Sequence, residues 1–222
     1  MNIYGLQKLT LLDYPEHTAC TVFLSGCNFD CPYCYNKELA HKEVKPLMSS
    51  IRFLSWLDTM RGKLDGVCIS GGEPTLCGLL GNFISAIKNM NFLVKLDTNG
   101  YRTSVLLSTI YEHNIDYIAM DIKNSPKKYA ITAGFEGAFN FDIIETSVDV
   151  IMTCKHLSEY EFRTTVTKSM HDDSDFEEIG RLIRGAKRYF LQKCTTDTPS
   201  DEDMQRYKSI MEKYVDYVGI RG

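Results

Sequence analysis

Six short β-rich runs alternate with amphipathic helical stretches from residue 18 onward, and that alternation narrows the fold to parallel βα units. The runs are Thr18 to Leu24, Gly66 to Ser70, Phe92 to Asp97, Asp116 to Asp121, Tyr160 to Val166 and Arg188 to Gln192. Between them apolar residues recur at helical spacing. Ile51, Leu54, Leu57 and Met60 mark one face; Leu80, Phe83, Ile84, Ile87 and Met90 a second; Val105, Leu106 and Ile110 a third. Ile144, Val148, Ile151 and Met152 follow, then Phe176, Ile179 and Ile183, then Met204, Tyr207 and Met211. Ser200 with Asp203 reads as a capping box before the last helix, and Gly62 and Gly185 stand where helices should stop. A full eight-unit barrel takes about 250 residues, or about 31 per unit, which leaves room here for about six. The expectation is an α/β fold, a partial TIM-like (β/α)6 barrel of parallel strands. With 44% hydrophobic residues and no repeat or linker, it reads as one domain over residues 1–222, the segment 1–17 leading into the first strand.

In such architectures ligands are held at the carboxyl ends of the strands. Every unusual motif of this chain falls there. Cys27 to Cys34 follows the first run, Gly71-Gly72-Glu73-Pro74 the second, Asp97-Thr98-Asn99-Gly100 the third and Asp121-Ile122-Lys123 the fourth. Arg163 lies within the fifth run and Gln192 ends the sixth.

Cys27, Cys31 and Cys34 are three thiols at spacings of four and three. A structural zinc site is closed by four protein ligands, whereas three cysteines on a four-iron four-sulfur cluster leave one iron open for a group that is not protein. Zinc completed by His17, Cys20 or Cys68 is the alternative, and it would make the chain a zinc-stabilised binding module. Eight cysteines without a secretory leader point to a reduced cytoplasm rather than a disulfide framework. Leu24-Ser25-Gly26-Cys27 is lipoprotein-like only superficially, because Asp13, Pro15, Glu16 and His17 interrupt the segment before it. No run approaches the length of a membrane span, and a net charge of −4 offers phosphate backbones no general attraction. Neither a membrane nor a nucleic acid is an expected partner. Of Lys123, Lys127 and Lys128, only the first is expected to be more than a solvated patch.

Each remaining motif has a plain structural alternative. Gly71-Gly72-Glu73-Pro74 can be a tight turn, or two glycines that let a ligand approach the backbone while Glu73 accepts from an ammonium group. Asn99-Gly100 is a hairpin signal, disfavoured by the helical pattern that follows. Asp121 and Lys123 can be an exposed strand end, and Arg163 a core-edge ion pair. Cys68, Cys77, Cys154 and Cys194 lack ligand spacing and read as small buried side chains.

The CxxxCxxC triplet with Tyr33 before its last cysteine, followed by Gly-Gly-Glu-Pro after the next strand, resembles the radical S-adenosylmethionine superfamily. Leu11-Leu12-Asp13-Tyr14-Pro15, Phe23-Leu24-Ser25-Gly26-Cys27-Asn28-Phe29, Asp97-Thr98-Asn99-Gly100 and Met120-Asp121-Ile122-Lys123 resemble its glycyl-radical-enzyme activating group. Within that group the likeness is to anaerobic ribonucleoside-triphosphate reductase activating proteins, although Tyr35 stands where histidine is frequent. The resemblance implies a 4Fe-4S cluster on Cys27, Cys31 and Cys34, its fourth iron chelated by S-adenosylmethionine. Tyr33 and Tyr35 would flank the adenine, Gly71, Gly72 and Glu73 would fix the methionine amine, and Lys123 and Arg163 would hold its carboxylate or the ribose edge. Asn99, Asp121 and Gln192 would complete the nucleotide site, and Asp97 with Asp121 would hold a monovalent cation. A flavodoxin or ferredoxin would supply electrons, and a glycine of a partner glycyl radical enzyme would lose hydrogen. A radical enzyme acting on a small molecule or a peptide is the alternative. The chain carries no cysteine-rich C-terminal extension, so a single cluster is expected.

Overall fold

In the computed structural model, which describes residues 1–41 and 43–221, the chain runs as follows. β1 (Asn2–Ile3), β2 (Gly5–Thr10) and β3 (Ala19–Leu24) lead into α1 (Lys37–Ala40), β4 (Met48–Ser49), α2 (Ser50–Asp58) and β5 (Gly66–Gly71). α3 (Leu80–Asn89), β6 (Leu93–Thr98), α4 (Thr103–Tyr111) and β7 (Tyr117–Asp121) follow, then α5 (Tyr129–Thr132), α6 (Asp142–Thr153) and β8 (Glu159–Val166). α7 (Asp173–Leu182), β9 (Arg188–Lys193), α8 (Asp201–Met211) and β10 (Tyr217–Arg221) complete it.

One eight-stranded sheet has the order β10-β9-β8-β7-β6-β5-β3-β2. Its strands from β3 to β10 are mutually parallel, and β2 pairs antiparallel with β3 at one edge. All six anticipated runs are strands, each within a residue of its expected bounds. Two strands of this sheet lay outside the expectation: β2 in the leading segment, and β10, a seventh parallel strand closing the sixth unit. The fold is an α/β partial barrel with flanking helices.

Side chains alternate across the parallel strands and sort by chemistry. Val67, Ile69, Val94, Leu96, Ile118, Met120 and Phe162 are buried in the main core with Phe83, Ile87, Leu106, Val148 and Ile179 from the helices. Their neighbours on the opposite face are Cys68, Ser70, Lys95, Asp97, Asp121, Glu161 and Arg163. At its amino end, this second face carries a small cluster of Tyr14, Ala19, Tyr117 and Ala119. Above that floor it is polar, and the register sets Asp121 directly beside Arg163 on β7 and β8.

The helix stripes hold with one exception. Ile51, expected on the buried face of α2, is 76% exposed, and Phe53 is buried with Leu57 instead. The helix turns Phe53 toward Trp56 and Phe83, with ring centroids 5.7 Å apart in each case. The capping box at Ser200 and Asp203 is present, and Gly62 and Gly185 take positive φ. Among the described residues no helix is long and apolar enough to cross a membrane.

Candidate active site

Parallel strands ending side by side deliver their following loops to one place. A cavity of about 480 Å³ opens there, and its wall includes every residue anticipated for cluster or nucleotide: Cys27, Cys31, Tyr33, Cys34, Tyr35, Gly71, Gly72, Glu73, Asn99, Asp121, Lys123, Arg163 and Gln192, with Asp97 among them.

The cysteine loop is built against backbone on two sides. Gly71 has φ +123°, and a Cβ on Gly72 would lie 2.2 Å from the Gly26 carbonyl oxygen. The glycine pair therefore makes room for the chain's own entry into the cysteine loop, sealed by bonds from Gly72 N to Leu24 O (2.9 Å) and Glu73 N to Gly26 O (2.7 Å). On the other side Asp30 N donates to Ala133 O (2.9 Å), and a Cβ on Gly134 would lie 2.0 Å from Asp30 O. Phe29 sits in an aromatic cluster with Tyr101, Phe135 and Phe139, at centroid distances of 5.5, 6.0 and 6.1 Å. Tyr129 and Tyr101 each stack on Phe139. The roof covers the loop at Phe29, and burial pushes the Cys27 thiol up to about 11. The Cys31 thiol is raised for the same reason, with Lys123 opposing.

Glu73 was expected to receive an ammonium group, but the chain engages both of its oxygens. Oε1 accepts from Thr75 N (3.0 Å), Thr75 Oγ1 (2.5 Å) and Thr98 Oγ1 (2.8 Å), and Oε2 accepts from Asn99 N (2.7 Å). Burial nevertheless raises its pKa, because the carboxylate is almost wholly removed from water. Asn99 reaches the cysteine loop in turn: its Nδ2 donates to Asn28 Oδ1 at 2.8 Å and lies 4.0 Å from Cys27 Sγ.

The two tyrosines part company. Tyr33 is buried and its hydroxyl has no partner, an orphaned polar group on the cavity wall. Tyr35 is exposed, and its hydroxyl accepts from Thr195 N at 2.8 Å, clasping the cysteine loop to the loop after β9. Lys123 behaves as expected of the first member of its cluster, its side chain being only 13% exposed and bound to Asp121 Oδ2 at 3.0 Å. Lys127 is solvated.

Charged groups crowd the floor of the cavity. Arg163 donates from Nε to Asp121 Oδ1 (2.9 Å) and from Nη1 to Asp97 Oδ1 (3.3 Å), while Lys95 Nζ meets the same Asp97 oxygen at 2.5 Å. Behind them Arg221 grips the buried Glu161 with two bonds of 2.8 Å. Asp97 and Asp121 thus already have cations between and beneath them, and the monovalent ion expected from the family likeness does not fit this arrangement.

Sequence reasoning missed several wall residues: Asp13, Phe29, Ser70, Thr165, Lys193 and Arg221. Ser70 and Thr165 were recoverable from period-two alternation at the strand ends. Arg221 was not, because its strand was not anticipated.

The three cysteines share one cavity wall, as a donor set that a cluster could take one per iron. A tetrahedral zinc with bonds of about 2.3 Å needs sulfurs within about 4 Å of one another, whereas a cluster takes one cysteine per iron. Among the described residues no three His, Cys, Asp or Glu side chains gather as a metal site. The fourth ligands that zinc would need are placed elsewhere. Cys20 belongs to the helix-facing core, Cys68 lies 3.9 Å from Lys95 Nζ, and His17 packs on Tyr14 near the amino end of β3. All eight cysteines are free.

A half-buried cysteine loop, an orphaned tyrosine hydroxyl and a floor of paired charges thus meet at the strand ends of a parallel α/β barrel, where barrels of this kind hold their ligands. The family model for the radical SAM superfamily matches residues 21–184, and the chain belongs to that superfamily of oxidoreductases. It is 30% identical to a Methanocaldococcus jannaschii protein provisionally named a glycyl-radical enzyme activating enzyme, over 99% of this chain and 95% of that one. Likeness to the anaerobic ribonucleoside-triphosphate reductase-activating protein of Escherichia coli is 32% over 33% of this chain and 49% of that protein. Among solved structures, a radical SAM methyltransferase from Sphaerobacter thermophilus shares the fold with a TM-score of 0.74 at 15% identity, covering 96% of this chain and 68% of that one. Enzymes of this superfamily use S-adenosylmethionine and an iron–sulfur cluster.

Proposed function

We propose that the chain is a radical S-adenosylmethionine enzyme that draws a hydrogen atom from a carbon of a peptide segment or small molecule presented at the carboxyl-end mouth of the barrel. Convergence of all thirteen anticipated residues on one cavity of about 480 Å³ carries this reading, the volume falling in the roughly 300–1,000 Å³ range of sites for small organic ligands. A 4Fe-4S cluster with S-adenosylmethionine, when bound and reduced by one electron, supplies a 5′-deoxyadenosyl radical. Cys27, Cys31 and Cys34 would hold the cluster, one iron each. Lys123 and Arg163 are the cations placed to meet a methionine carboxylate, Gly71 and Gly72 border the amine side, and Gln192 the adenosine side. Tyr33 brings a buried hydroxyl in need of a partner. The aromatic roof covers the cysteine loop at Phe29, which limits the approach of bulk water from that side. A small electron carrier of the flavodoxin or ferredoxin kind belongs to this reading, as does a cytoplasmic setting.

A second, narrower reading makes the substrate a glycine α-carbon on a loop of a partner glycyl radical enzyme. It is favoured by the near full-length likeness to the provisionally named activating enzyme. Anaerobic ribonucleoside-triphosphate reductase as that partner is supported by the shorter likeness to the Escherichia coli protein.

The test is anaerobic reconstitution followed by dithionite and S-adenosylmethionine, with 5′-deoxyadenosine measured alone, with candidate peptides or small molecules, and with candidate glycyl radical enzymes. Stimulated turnover with a free peptide or small molecule supports the first reading. A glycyl radical signal in a partner protein, without such turnover, supports the second. Protein that takes up no iron, or cleaves no nucleotide when reduced, ends both.

A further inference from the structure

The charges beneath the cavity answer a question that the family likeness poses and this chain resolves in its own way. An ion shared by Asp97 and Asp121 needs an oxygen from each, at a point between the two carboxylates. Between them Arg163 already bridges one oxygen of each acid, its Nε reaching Asp121 Oδ1 at 2.9 Å and its Nη1 reaching Asp97 Oδ1 at 3.3 Å. The second Asp121 oxygen is held by Lys123 at 3.0 Å. From below, Lys95 places its ammonium 2.5 Å from Asp97, with a side chain only 1% exposed.

Lys95 has few other partners: its ammonium lies 3.9 Å from Cys68 Sγ and 5.7 Å from the centre of the Tyr117 ring. A buried ammonium is costly unless it is paired, so Asp97 is what makes a lysine tolerable at this depth. Lysine also suits the place, because it is a compact point charge at the end of a flexible stem, whereas Arg163 supplies the planar fork that spans two acids. The alternation of β6 dictates the pairing: Lys95 and Asp97 are two residues apart and project from the same face.

We propose that Lys95 and Arg163 supply from the chain itself the positive charge that related sites would take from a monovalent metal ion, Lys95 acting as a positioning residue that holds Asp97 and, through it, Arg163. Nucleotide binding by this protein is then indifferent to sodium and potassium. The nucleotide part of the statement rests on the functional reading above; the ion part does not.

Two measurements decide it. The first is sodium-23 NMR line broadening by the full chain without nucleotide. The wild type should show no saturable broadening that potassium competes away, and Lys95→Met should gain it. A saturable sodium site in the wild type that Asp97→Asn abolishes overturns the proposal, as does a folded Lys95→Met protein that gains no site while Lys95→Arg behaves identically. If Lys95→Met does not fold, the wild-type result alone decides. The second is S-adenosylmethionine affinity of the reconstituted protein in sodium, potassium or choline chloride at one ionic strength. Affinities should agree within twofold, and a tenfold loss in choline refutes the idea. Absence of nucleotide binding in every salt counts against the functional reading and leaves the sodium measurement to judge the ion.

Discussion

Glu73 Oε2 accepts the backbone N–H of Asn99 at 2.7 Å, tying the loop after β5 to the loop after β6 across the mouth of the barrel. Its other oxygen serves three donors from Thr75 and Thr98, so one carboxylate organises two of the motifs that the sequence singles out.

Glu73→Ala should therefore act first through structure. It strands the Asn99 N–H and the Thr98 hydroxyl, at a cost of about 1–3 kcal/mol for each buried unsatisfied group. Thermal melting should report that loss, nucleotide affinity should fall, and iron content after reconstitution should stay near that of the wild type. Cys31→Ala should give the opposite pattern, with little iron retained. Equal iron loss in both variants would contradict this division of roles.

Gly72→Ala adds a single methyl where the Gly26 carbonyl already stands, 2.2 Å from the new atom. Backbone cannot yield as a flexible side chain would, so destabilisation at or above the usual overpacking cost of about 1–3 kcal/mol is expected. Because Gly26 directly precedes Cys27, reduced iron uptake should accompany it. Gly78→Ala, where a Cβ meets nothing within 4 Å, is the control and should melt like the wild type.

Phe139→Ala opens the roof above the cysteine loop by removing the ring on which Tyr101 and Tyr129 stack, at 4.9 and 5.1 Å. Phe139 is partly buried, so the stability cost should lie near the lower end of the about 3–5 kcal/mol seen for buried Phe→Ala. The more telling outcome is kinetic: the brown absorbance of the reconstituted protein should bleach severalfold faster on exposure to air than in the wild type.

His171 predicts a pH dependence. Nδ1 accepts from Thr167 N at 3.2 Å, so Nε2 carries the proton and donates to the Lys123 carbonyl at 3.0 Å. Burial lowers its pKa below the usual 6.5 despite these bonds. The native state then binds fewer protons than the unfolded chain between the two pKa values. The stabilisation is complete above about pH 6.5 and is lost as the pH falls below it. Denaturant midpoints measured from pH 7.5 down to 5 should decline, and His171→Gln should flatten that decline.

The strands that could be read from sequence are short β-rich runs buried along most of their length, such as Gly66–Gly71 and Tyr117–Asp121, and the motifs after them were legible because parallel strands gather their following loops at one end. What stayed hidden has physical causes. β2 is an edge strand with an exposed middle, so Gly5–Thr10 carries no apolar run to betray it. β10 contains Gly219, whose missing side chain leaves room for Phe190 and breaks the β-rich signal. On α2, the pattern Ile51, Leu54 and Leu57 is as periodic as Phe53 and Leu57, and only the presence of Phe83 on a neighbouring helix selects the second. Glu73 and Tyr35 were placed correctly at the mouth, but their engagement by Asn99 and Thr195 depends on loops 26 and 160 residues away, beyond the reach of any local pattern.

The brace that Ala133 and Gly134 give to Asp30 carries a lesson about biosynthesis. A nascent chain displays all three cysteines by residue 34, yet the buttress and the aromatic roof arrive only by residue 139. At about 5–20 residues per second, that gap is roughly 5–20 s of translation during which the thiols stand unsheltered. The cysteine loop can therefore take its braced shape only about a hundred residues of synthesis after its last cysteine, once Ala133, Gly134 and Phe139 are in place.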